Sequence, residues 1–262
     1  MRNQPQESGM ASLNRLAASL AAALALSAWF GTTPSSAATS CSARSGAVAP
    51  AVVELYTSEG CSSCPPADRW LSRLKNEPGV VALAFHVDYW DRLGWKDRFA
   101  SPDYTQRQAQ QQGVSGARFS YTPQVIVNGI DSPDWPRASI AAAAARPSPV
   151  DVQLSRDGTR VSAVVAPLKG APARLAAYWA VTEQNHVSAV KAGENEGATL
   201  THDDVVREYR RVPAWAVTPD GPHATLQFEL GAAADPAHPR QVNLVIIDAA
   251  SGRPVQAVGL GC

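Results

Sequence analysis

This sequence lacks both an excess of charge and any long block of like charges. Its 262 residues include 23 basic and 23 acidic side chains, for a formal net charge of +0. Because affinity for phosphate depends on clustered Lys and Arg, we expect no nucleic-acid partner. An apolar content of 45% also excludes a chain that is mainly disordered. The composition therefore predicts a globular protein with a sizeable core.

Long apolar runs are scarce as well. The clearest run, residues 16–30, follows Arg2 and Arg15, and small residues at 36–38 come after it. This order is typical of a cleaved signal peptide, which we predict at 1–38; a non-cleaved anchor is the alternative. The rest of the sequence has no run long enough to span a bilayer, so no membrane contact is expected after cleavage. We therefore expect a secreted, periplasmic protein.

Cysteine occurs at only four positions, and export makes disulfides possible. Cys61 and Cys64 are close enough in sequence to pair with each other. Cys41 and Cys262 then remain, one near each end of the mature chain. We predict that these two form a structural disulfide, and two free terminal thiols are the alternative.

Proline marks the boundary between two sequence patterns. Five Ala at 141–145 predict that 139–146 is the end of a helix, which the prolines at 147 and 149 terminate. Residues 150–165 then carry short alternating segments around a turn, a pattern typical of a β-hairpin. We predict three segments after the signal peptide: an extension at 39–50, an α/β domain at 51–147 and an antiparallel β domain at 150–262.

Two of the cysteines lie between a predicted strand and a predicted helix. Residues 52–56 predict a buried strand, and Pro65 with Pro66 predicts the first turn of a helix. The positive end of a helix stabilises a thiolate, so we expect Cys61 to have the lowered pKa and to attack the substrate. Cys64 would then resolve the mixed disulfide. A static two-cysteine staple is the alternative.

Longer motifs resemble known proteins. Residues 53–64 resemble the active-site strand and turn of thioredoxins and glutaredoxins. A bacterial family of secreted thioredoxin-like proteins of unknown function (domain of unknown function 1223) is similar in further segments, at 60–68, 86–97, 193–197 and 205–207. The resemblance implies an α/β thioredoxin-like N-terminal domain plus an all-β, sandwich-like C-terminal domain.

A proline precedes the predicted strand at 124–127. Thr122 and Pro123 resemble the cis-proline loop that faces the two cysteines in thioredoxin-fold proteins. The resemblance implies that this loop lies beside the sulfur of Cys61 and pairs with an extended substrate. An ordinary trans proline that opens a strand is the alternative.

Polar and aromatic residues follow the predicted strand at 80–87. Because ligands bind at the carboxyl ends of parallel strands, we expect His86, Asp88, Tyr89 and Trp90 to flank the sulfurs. His86 would be a base or a metal ligand, Asp88 would move protons, and the aromatic rings would line a peptide groove. The alternative is a satisfied histidine within an aromatic cluster that only packs.

Two polar features remain outside these motifs. Glu54 lies in the buried strand before the cysteines. We expect it either to take a proton from the resolving thiol or to pair with a base such as Arg118. Residues 191–197 and 202–204 are polar, and their spacing fits no calcium or zinc loop. A solvated or domain-contacting loop is expected there.

The predicted function is that of an exported thiol–disulfide oxidoreductase that uses Cys61 and Cys64. Its partners would be protein or peptide thiols and disulfides, and neither a cofactor nor a metal is required. One alternative is a periplasmic protein that binds Cu(I) or Zn(II) through Cys61, Cys64 and His86. The other is a non-enzymatic binding scaffold in which the dithiol has no role.

Overall fold

Strands dominate the computed structural model, which describes residues 40–218, 221–231 and 234–262. The predicted signal peptide at 1–38 lies outside these residues. The helices are α1 (Pro65–Ser72), α2 (Pro102–Ser115) and α3 (Ile140–Ala143), with 3-10 turns at Asp91–Leu93 and Trp135–Arg137. The strands are β1 (Ser40–Arg44), β2 (Val48–Ala49), β3 (Ala51–Thr57), β4 (Val80–His86), β5 (Gln124–Val127), β6 (Ile130–Asp131), β7 (Arg146–Pro147), β8 (Val150–Asp157), β9 (Arg160–Pro167), β10 (Arg174–Glu183), β11 (His186–Ala189), β12 (Thr199–His202), β13 (Val205–Ala216), β14 (Ala224–Glu229), β15 (Arg240–Asp248) and β16 (Pro254–Leu260).

The helix boundaries follow from local chemistry. Pro65 and Pro66 occupy the first turn of α1, where backbone N–H groups have no partner within the helix. The hydroxyl of Ser101 caps α2 by accepting a hydrogen bond from the backbone N–H of Asp103. This helix ends at Gly116, whose φ of 81° is in the left-handed region. Both α1 and α3 are shorter than the segments that the sequence predicts as helix, which are 63–76 and 139–146.

One eight-stranded mixed sheet runs through the molecule in the order β16-β15-β10-β13-β4-β3-β5-β6. β3 and β4 are parallel neighbours joined by α1, which is the predicted βαβ unit. β5 pairs with the other edge of β3 in the antiparallel sense. β13 pairs in parallel with β4, where Val205 is opposite Ala84. This last pair joins strands from the two halves of the chain.

A four-stranded sheet, in the order β1-β8-β9-β14, lies against part of the large sheet. The predicted hairpin is its β8–β9 pair. The two sheets enclose an apolar core that includes Leu154, Trp179, Phe228 and Leu244, all buried. The inward positions of β8 alternate with exposed ones, as expected for a sheet that has one face in solvent.

The two faces of β3 and β4 contact different helices. All seven residues of β3 are buried. On one face, Val53 and Leu55 share a cluster with Trp70 of α1. On the other, Tyr56 shares a cluster with Phe85 of β4 and with residues of α2 and β10. Since both faces are covered, the strand is apolar along almost its whole length.

The expected α/β thioredoxin-like N-terminal domain with a separate sandwich-like C-terminal domain is wrong. Strands make up 44% of the described residues and helices only 15%, and the described residues group as one compact unit. The physical reason is the free edge of β4. An uncovered strand edge exposes unpaired backbone groups, and here β13 covers that edge instead of a local α/β element. The sheet is therefore shared by both halves of the chain.

A disulfide between Cys41 and Cys262 ties the two ends of the described chain together. The two residues are 221 positions apart in sequence. Cys41 lies in β1, and the carbonyl of Cys262 accepts a hydrogen bond of 2.8 Å from the guanidinium of Arg156. This pairing is the one that the cysteine positions predict. Within the described residues, no helix is both long and apolar enough to cross a membrane.

Candidate redox site

Cys61 and Cys64 form a disulfide at the start of α1. β3 ends at Thr57, a turn carries the chain through Cys61, and Cys64 is the N-cap of α1. The backbone carbonyl of Cys64 accepts hydrogen bonds from the N–H groups of Ala67 and Asp68, which closes the first helical turn. Both cysteines are 0% exposed. The disulfide is thus held at the positive end of a helix and covered from solvent.

The loop before β5 contacts the sulfur of Cys61. The Thr122 hydroxyl lies 3.4 Å from this sulfur and accepts a 2.8 Å hydrogen bond from the indole N–H of Trp90. The Thr122–Pro123 peptide bond is cis. β5 pairs with β3 so that Gln124 is opposite Tyr56. This register places Thr122 and Pro123 beside the turn that carries Cys61.

Trp90 packs directly on that turn. A Cβ atom added at Gly60 would lie 3.1 Å from the Cβ of Trp90, which is closer than nearly all such contacts. A larger residue at this position would press on Trp90, so the turn and this side chain pack closely. The ring N–H of Trp90 meets Thr122, so one side chain links the turn to the loop before β5.

A buried ion pair lies at the end of β4. The imidazole Nδ1 of His86 is 2.7 Å from a carboxylate oxygen of Asp97, which also accepts the backbone N–H of Glu59. Burial disfavours the charged form of each group, but their mutual attraction dominates. It lowers the pKa of Asp97 to about 2 and raises the pKa of His86. The pair anchors the residue two positions before Cys61.

A second histidine connects two buried carboxyl groups. His202 Nε2 lies 3.5 Å from Glu59 Oε1, and His202 Nδ1 lies 3.9 Å from Asp68 Oδ2. Glu59 also accepts a 2.7 Å hydrogen bond from the indole of Trp95. Burial raises the pKa of Asp68. For Glu59 burial acts in the same direction, but His202 and other hydrogen-bond donors outweigh it and lower its pKa. His202 thus lies within 4 Å of both carboxyl groups.

The sequence patterns did not single out Glu59, Asp68, Asp97 or His202. Glu59 and Asp68 lie within four residues of a cysteine, and Asp97 ends the segment 86–97, so their place in the motifs was a usable signal. His202 had none. It reaches the site because β12 packs on α1, where a pocket lies between Asp68 and Leu200. That placement depends on tertiary structure alone.

The turn of Cys61 is also held by residues 193–197, which lie between β11 and β12 and which we call the clasp loop. The side-chain amide of Asn195 donates to the carbonyls of Glu59 and Cys61, at 2.8 and 2.9 Å. The carboxylate of Glu194 accepts the backbone N–H of Ser62 at 3.0 Å and its hydroxyl at 2.8 Å. This polar loop therefore makes contacts across the chain, one of the two roles expected for it.

Glu54 lies on the other face of β3, away from the disulfide. Its carboxylate forms an ion pair with Arg107 and accepts hydrogen bonds of 2.7 Å from the hydroxyls of Tyr56 and Tyr178. The partner is Arg107 rather than Arg118. With all its contacts on the α2 side of the sheet, Glu54 is not placed to take a proton from Cys64.

Asp88 is also directed elsewhere. Its carboxylate accepts the hydroxyl of Thr105 at 2.5 Å, and its backbone N–H donates to the same hydroxyl at 3.1 Å. Asp88 therefore fixes the start of α2. Of the residues expected to flank the sulfurs, Trp90 contacts Thr122 in the loop before β5. His86 is buried and paired with Asp97.

The copper or zinc alternative stays a prediction. Among the described residues, no three His, Cys, Asp or Glu side chains are arranged to hold a metal ion. His86 directs Nδ1 to Asp97 at 2.7 Å, and Cys61 is bonded to Cys64. The arrangement combines a disulfide, the hydroxyls of Thr122 and Ser63, each 3.4 Å from the sulfur of Cys61, and a buried acid–base network.

Comparison with known proteins places the chain in a family. Residues 52–247 match the family described as "Protein of unknown function (DUF1223)". Protein AGR_C_4864 from Agrobacterium tumefaciens, known from an X-ray structure, is 28% identical, with a TM-score of 0.59 over 80% of this chain and 93% of that one. HBP35 of Porphyromonas gingivalis is 15% identical, with a TM-score of 0.58 over 82% of this chain and 76% of that one, and resembles it in fold alone. No curated protein matches. The chain belongs to the DUF1223 family.

Proposed function

We propose that this protein is an exported thiol–disulfide oxidoreductase that works through Cys61 and Cys64. The observation that carries the proposal is the position of their disulfide at the first turn of α1, with the Thr122 hydroxyl 3.4 Å from the sulfur of Cys61. A helix start stabilises the thiolate that forms when the disulfide opens. A disulfide that serves only as a staple has no need of this environment.

The reaction is a pair of sulfur exchanges. A substrate thiolate attacks Cys61, a bond forms between these two sulfurs, and the bond to Cys64 breaks so that Cys64 leaves as a thiolate. A second substrate thiolate then attacks the substrate sulfur of the mixed disulfide, and Cys61 leaves. The substrate has lost two electrons and become a disulfide, while the protein has gained them as a dithiol. The same steps in reverse reduce a substrate disulfide.

Buried groups supply and accept the protons of these steps. Asp68 lies one helical turn after Cys64, and its backbone N–H donates to the carbonyl of that residue. Burial raises the pKa of Asp68, which suits a carboxyl that takes up a proton from a neighbouring thiol. His202, between Asp68 and Glu59, extends the path for the proton. Glu54 does not fill this role, because its carboxylate is paired with Arg107 on the other face of β3.

The surface beside the site favours polypeptide substrates. Phe119 is 63% exposed, and its ring packs on Tyr121 at a centroid distance of 5.8 Å. Tyr121 directly precedes Thr122, and Trp90 contacts the same loop. An exposed aromatic ring three residues before Thr122, in the segment that leads to the sulfur of Cys61, can bind an apolar side chain that flanks a substrate cysteine. A small thiol such as glutathione offers no such group.

The export part of the proposal rests on two features. Residues 1–38 have the order of a signal peptide, although they lie outside the described residues. The described chain holds two disulfides, which fit an oxidising compartment outside the cytoplasm.

Catalysed disulfide exchange tests the proposal. The wild-type protein should accelerate reduction of insulin by dithiothreitol, or oxidation of a reduced dithiol peptide in a glutathione buffer. Cys61→Ser should abolish both activities, whereas the paired control Cys41→Ser with Cys262→Ser should keep them. Rates equal to the buffer alone, in both directions, would overturn the proposal.

A further inference from the structure

We propose that the clasp loop, residues 193–197, covers the redox site and that Glu194 biases the dithiol toward its disulfide form. The inference rests on the proposed function and adds to it the direction of the reaction. Glu194 and Asn195 are positioning residues in this scheme, since they hold the turn around Cys61 rather than react. The protein would then serve its partners as a reductant once its own dithiol has been reduced.

Asn195 restrains the backbone on both sides of Gly60. One side-chain amide group donates to two carbonyls, those of Glu59 and Cys61, at 2.8 and 2.9 Å. Carbonyl groups held in this way cannot rotate independently. A substrate sulfur must reach Cys61, which is 0% exposed, so the turn or the loop above it has to move. Asn195 therefore opposes the motion that gives a substrate access.

Glu194 places a negative charge on Ser62, the residue that follows Cys61. Its carboxylate accepts both the N–H and the hydroxyl of Ser62, and these hydrogen bonds lower the pKa of Glu194. The group is thus ionised at neutral pH. A neighbouring anion disfavours a thiolate on Cys61. The carboxylate also accepts the N–H of Ser62, which is then not free to donate to a thiolate. Both effects destabilise the reduced form relative to the disulfide.

The clasp loop itself is held in one conformation. Gly193 and Gly197 have φ values of 79° and 83°, a region that favours glycine. The N–H of Gly197 donates to the carbonyl of Val190 at 3.0 Å. A Cβ atom at Gly193 would lie 3.3 Å from the Cβ of Trp95, so the loop packs on a residue that also contacts Glu59. The backbone and the packing of the clasp loop therefore hold it against the turn of Cys61.

The chain offers a matched control for the charge of Glu194. Glu196 lies in the same loop and is exposed, and no contact of its side chain with the Cys61 turn is seen in the described structure. Glu194→Gln and Glu196→Gln remove the same charge, two residues apart. The glutamine at 194 still has an oxygen that accepts the hydrogen bonds of Ser62, so the loop should stay folded. Asn195→Ala tests the restraint separately.

The experiment measures the pH profile of iodoacetamide labelling at Cys61 in the reduced mature protein, and the dithiol–disulfide equilibrium in glutathione buffers. Glu194→Gln should lower the pKa of Cys61 by about half a unit, which raises its thiolate fraction at pH 7 about threefold. The equilibrium should shift toward the dithiol by about the same factor when it is measured at a pH well above the Cys61 pKa, where the reduced form is fully ionised. Asn195→Ala should speed labelling at every pH, and Glu196→Gln should match wild type.

The outcomes separate this inference from the proposed function. If Glu194→Gln matches Glu196→Gln in both measurements, Glu194 does not favour the disulfide form and this inference is overturned. Disulfide exchange by the wild-type protein would still support the proposed oxidoreductase function. If the wild-type dithiol does not exchange with glutathione or insulin at all, both proposals fall. Should Asn195→Ala unfold, as shown by circular dichroism, the Glu194→Gln result alone decides.

Discussion

At the scale of single residues, two buried ion pairs lie on the elements around the site. Glu54 has Arg107 on one face of β3, and Asp97 has His86 beside the redox turn. Moving a charged group out of water is costly unless it is paired and hydrogen-bonded. The two pairs therefore have different roles that substitution can separate: the first stabilises the fold, and the second anchors the site.

Glu54→Gln should destabilise the fold without changing the chemistry. It leaves the guanidinium of Arg107 buried without its counter-charge, a change that costs about 3–5 kcal/mol. Urea unfolding would measure the loss. Asp134→Asn, which removes an exposed ion pair with Arg137, is the control and should cost at most about 1 kcal/mol. Equal small losses in the two variants would show that the buried pair is not needed.

The His86–Asp97 pair should give stability that depends on pH. In the folded protein the pKa of Asp97 is about 2, which lies below the value of about 3.9 for an unfolded Asp. The contribution is therefore present above pH 4 and is lost as the pH falls toward 2, and it amounts to about 2 kcal/mol. Urea midpoints measured across this window should fall steeply for wild type and less steeply for Asp97→Asn. Parallel curves would contradict the assignment.

At the scale of elements, the redox turn depends on how closely Trp90 approaches it. Gly60→Ala would put a Cβ atom 3.1 Å from that of Trp90, so the indole must shift away from Thr122. We expect a loss of about 1–3 kcal/mol from overpacking, together with slower disulfide exchange. Thermal unfolding and the insulin assay would detect both effects.

A glycine in α2 provides the contrast. Gly113 has nothing within 4 Å of an added Cβ atom, so Gly113→Ala should stabilise the protein by about 0.5–1 kcal/mol through helix propensity and leave exchange unchanged. If Gly60→Ala is as stable and as active as Gly113→Ala, the contact with Trp90 has no role in the site.

Local sequence patterns predicted several elements well. β5 was expected at 124–127 and is found at Gln124–Val127, and α1 begins at the two prolines that predicted it. These elements depend on neighbours in sequence: alternation of apolar residues, proline at a first turn, a hydroxyl at an N-cap. The cysteine pairing could be predicted because two positions lie three residues apart, which leaves the chain ends for the others.

Long-range partners could not be predicted in the same way. Nothing in the segment of β13 marks it as the parallel neighbour of β4, since pairing depends on which edge is free once the sheet has formed. The thioredoxin-like domain, which the resemblance implied, is wrong for this reason. Likewise, Glu54 was known to be buried, but its partner Arg107 comes from α2. His202 reaches the site only through the packing of β12.

At the scale of the whole molecule, a disulfide fixes the two ends of the described chain. Replacing both Cys41 and Cys262 with Ser opens a loop of 221 residues. The expected loss is about 2–4 kcal/mol, because the unfolded chain regains conformational freedom. The melting temperature should fall, while exchange at Cys61 continues. A variant that keeps its stability but loses exchange would show that the ends take part in the chemistry instead.

The central claim is that Cys61 attacks and Cys64 resolves, and trapping the mixed disulfide tests it most directly. Cys64→Ser and Cys61→Ser are each mixed with a peptide that carries an activated disulfide, and the products are mapped by mass spectrometry. The account predicts a stable peptide adduct on Cys61 in Cys64→Ser and almost none on Cys64 in Cys61→Ser. Adducts that form equally fast on both cysteines, or on neither, would contradict it.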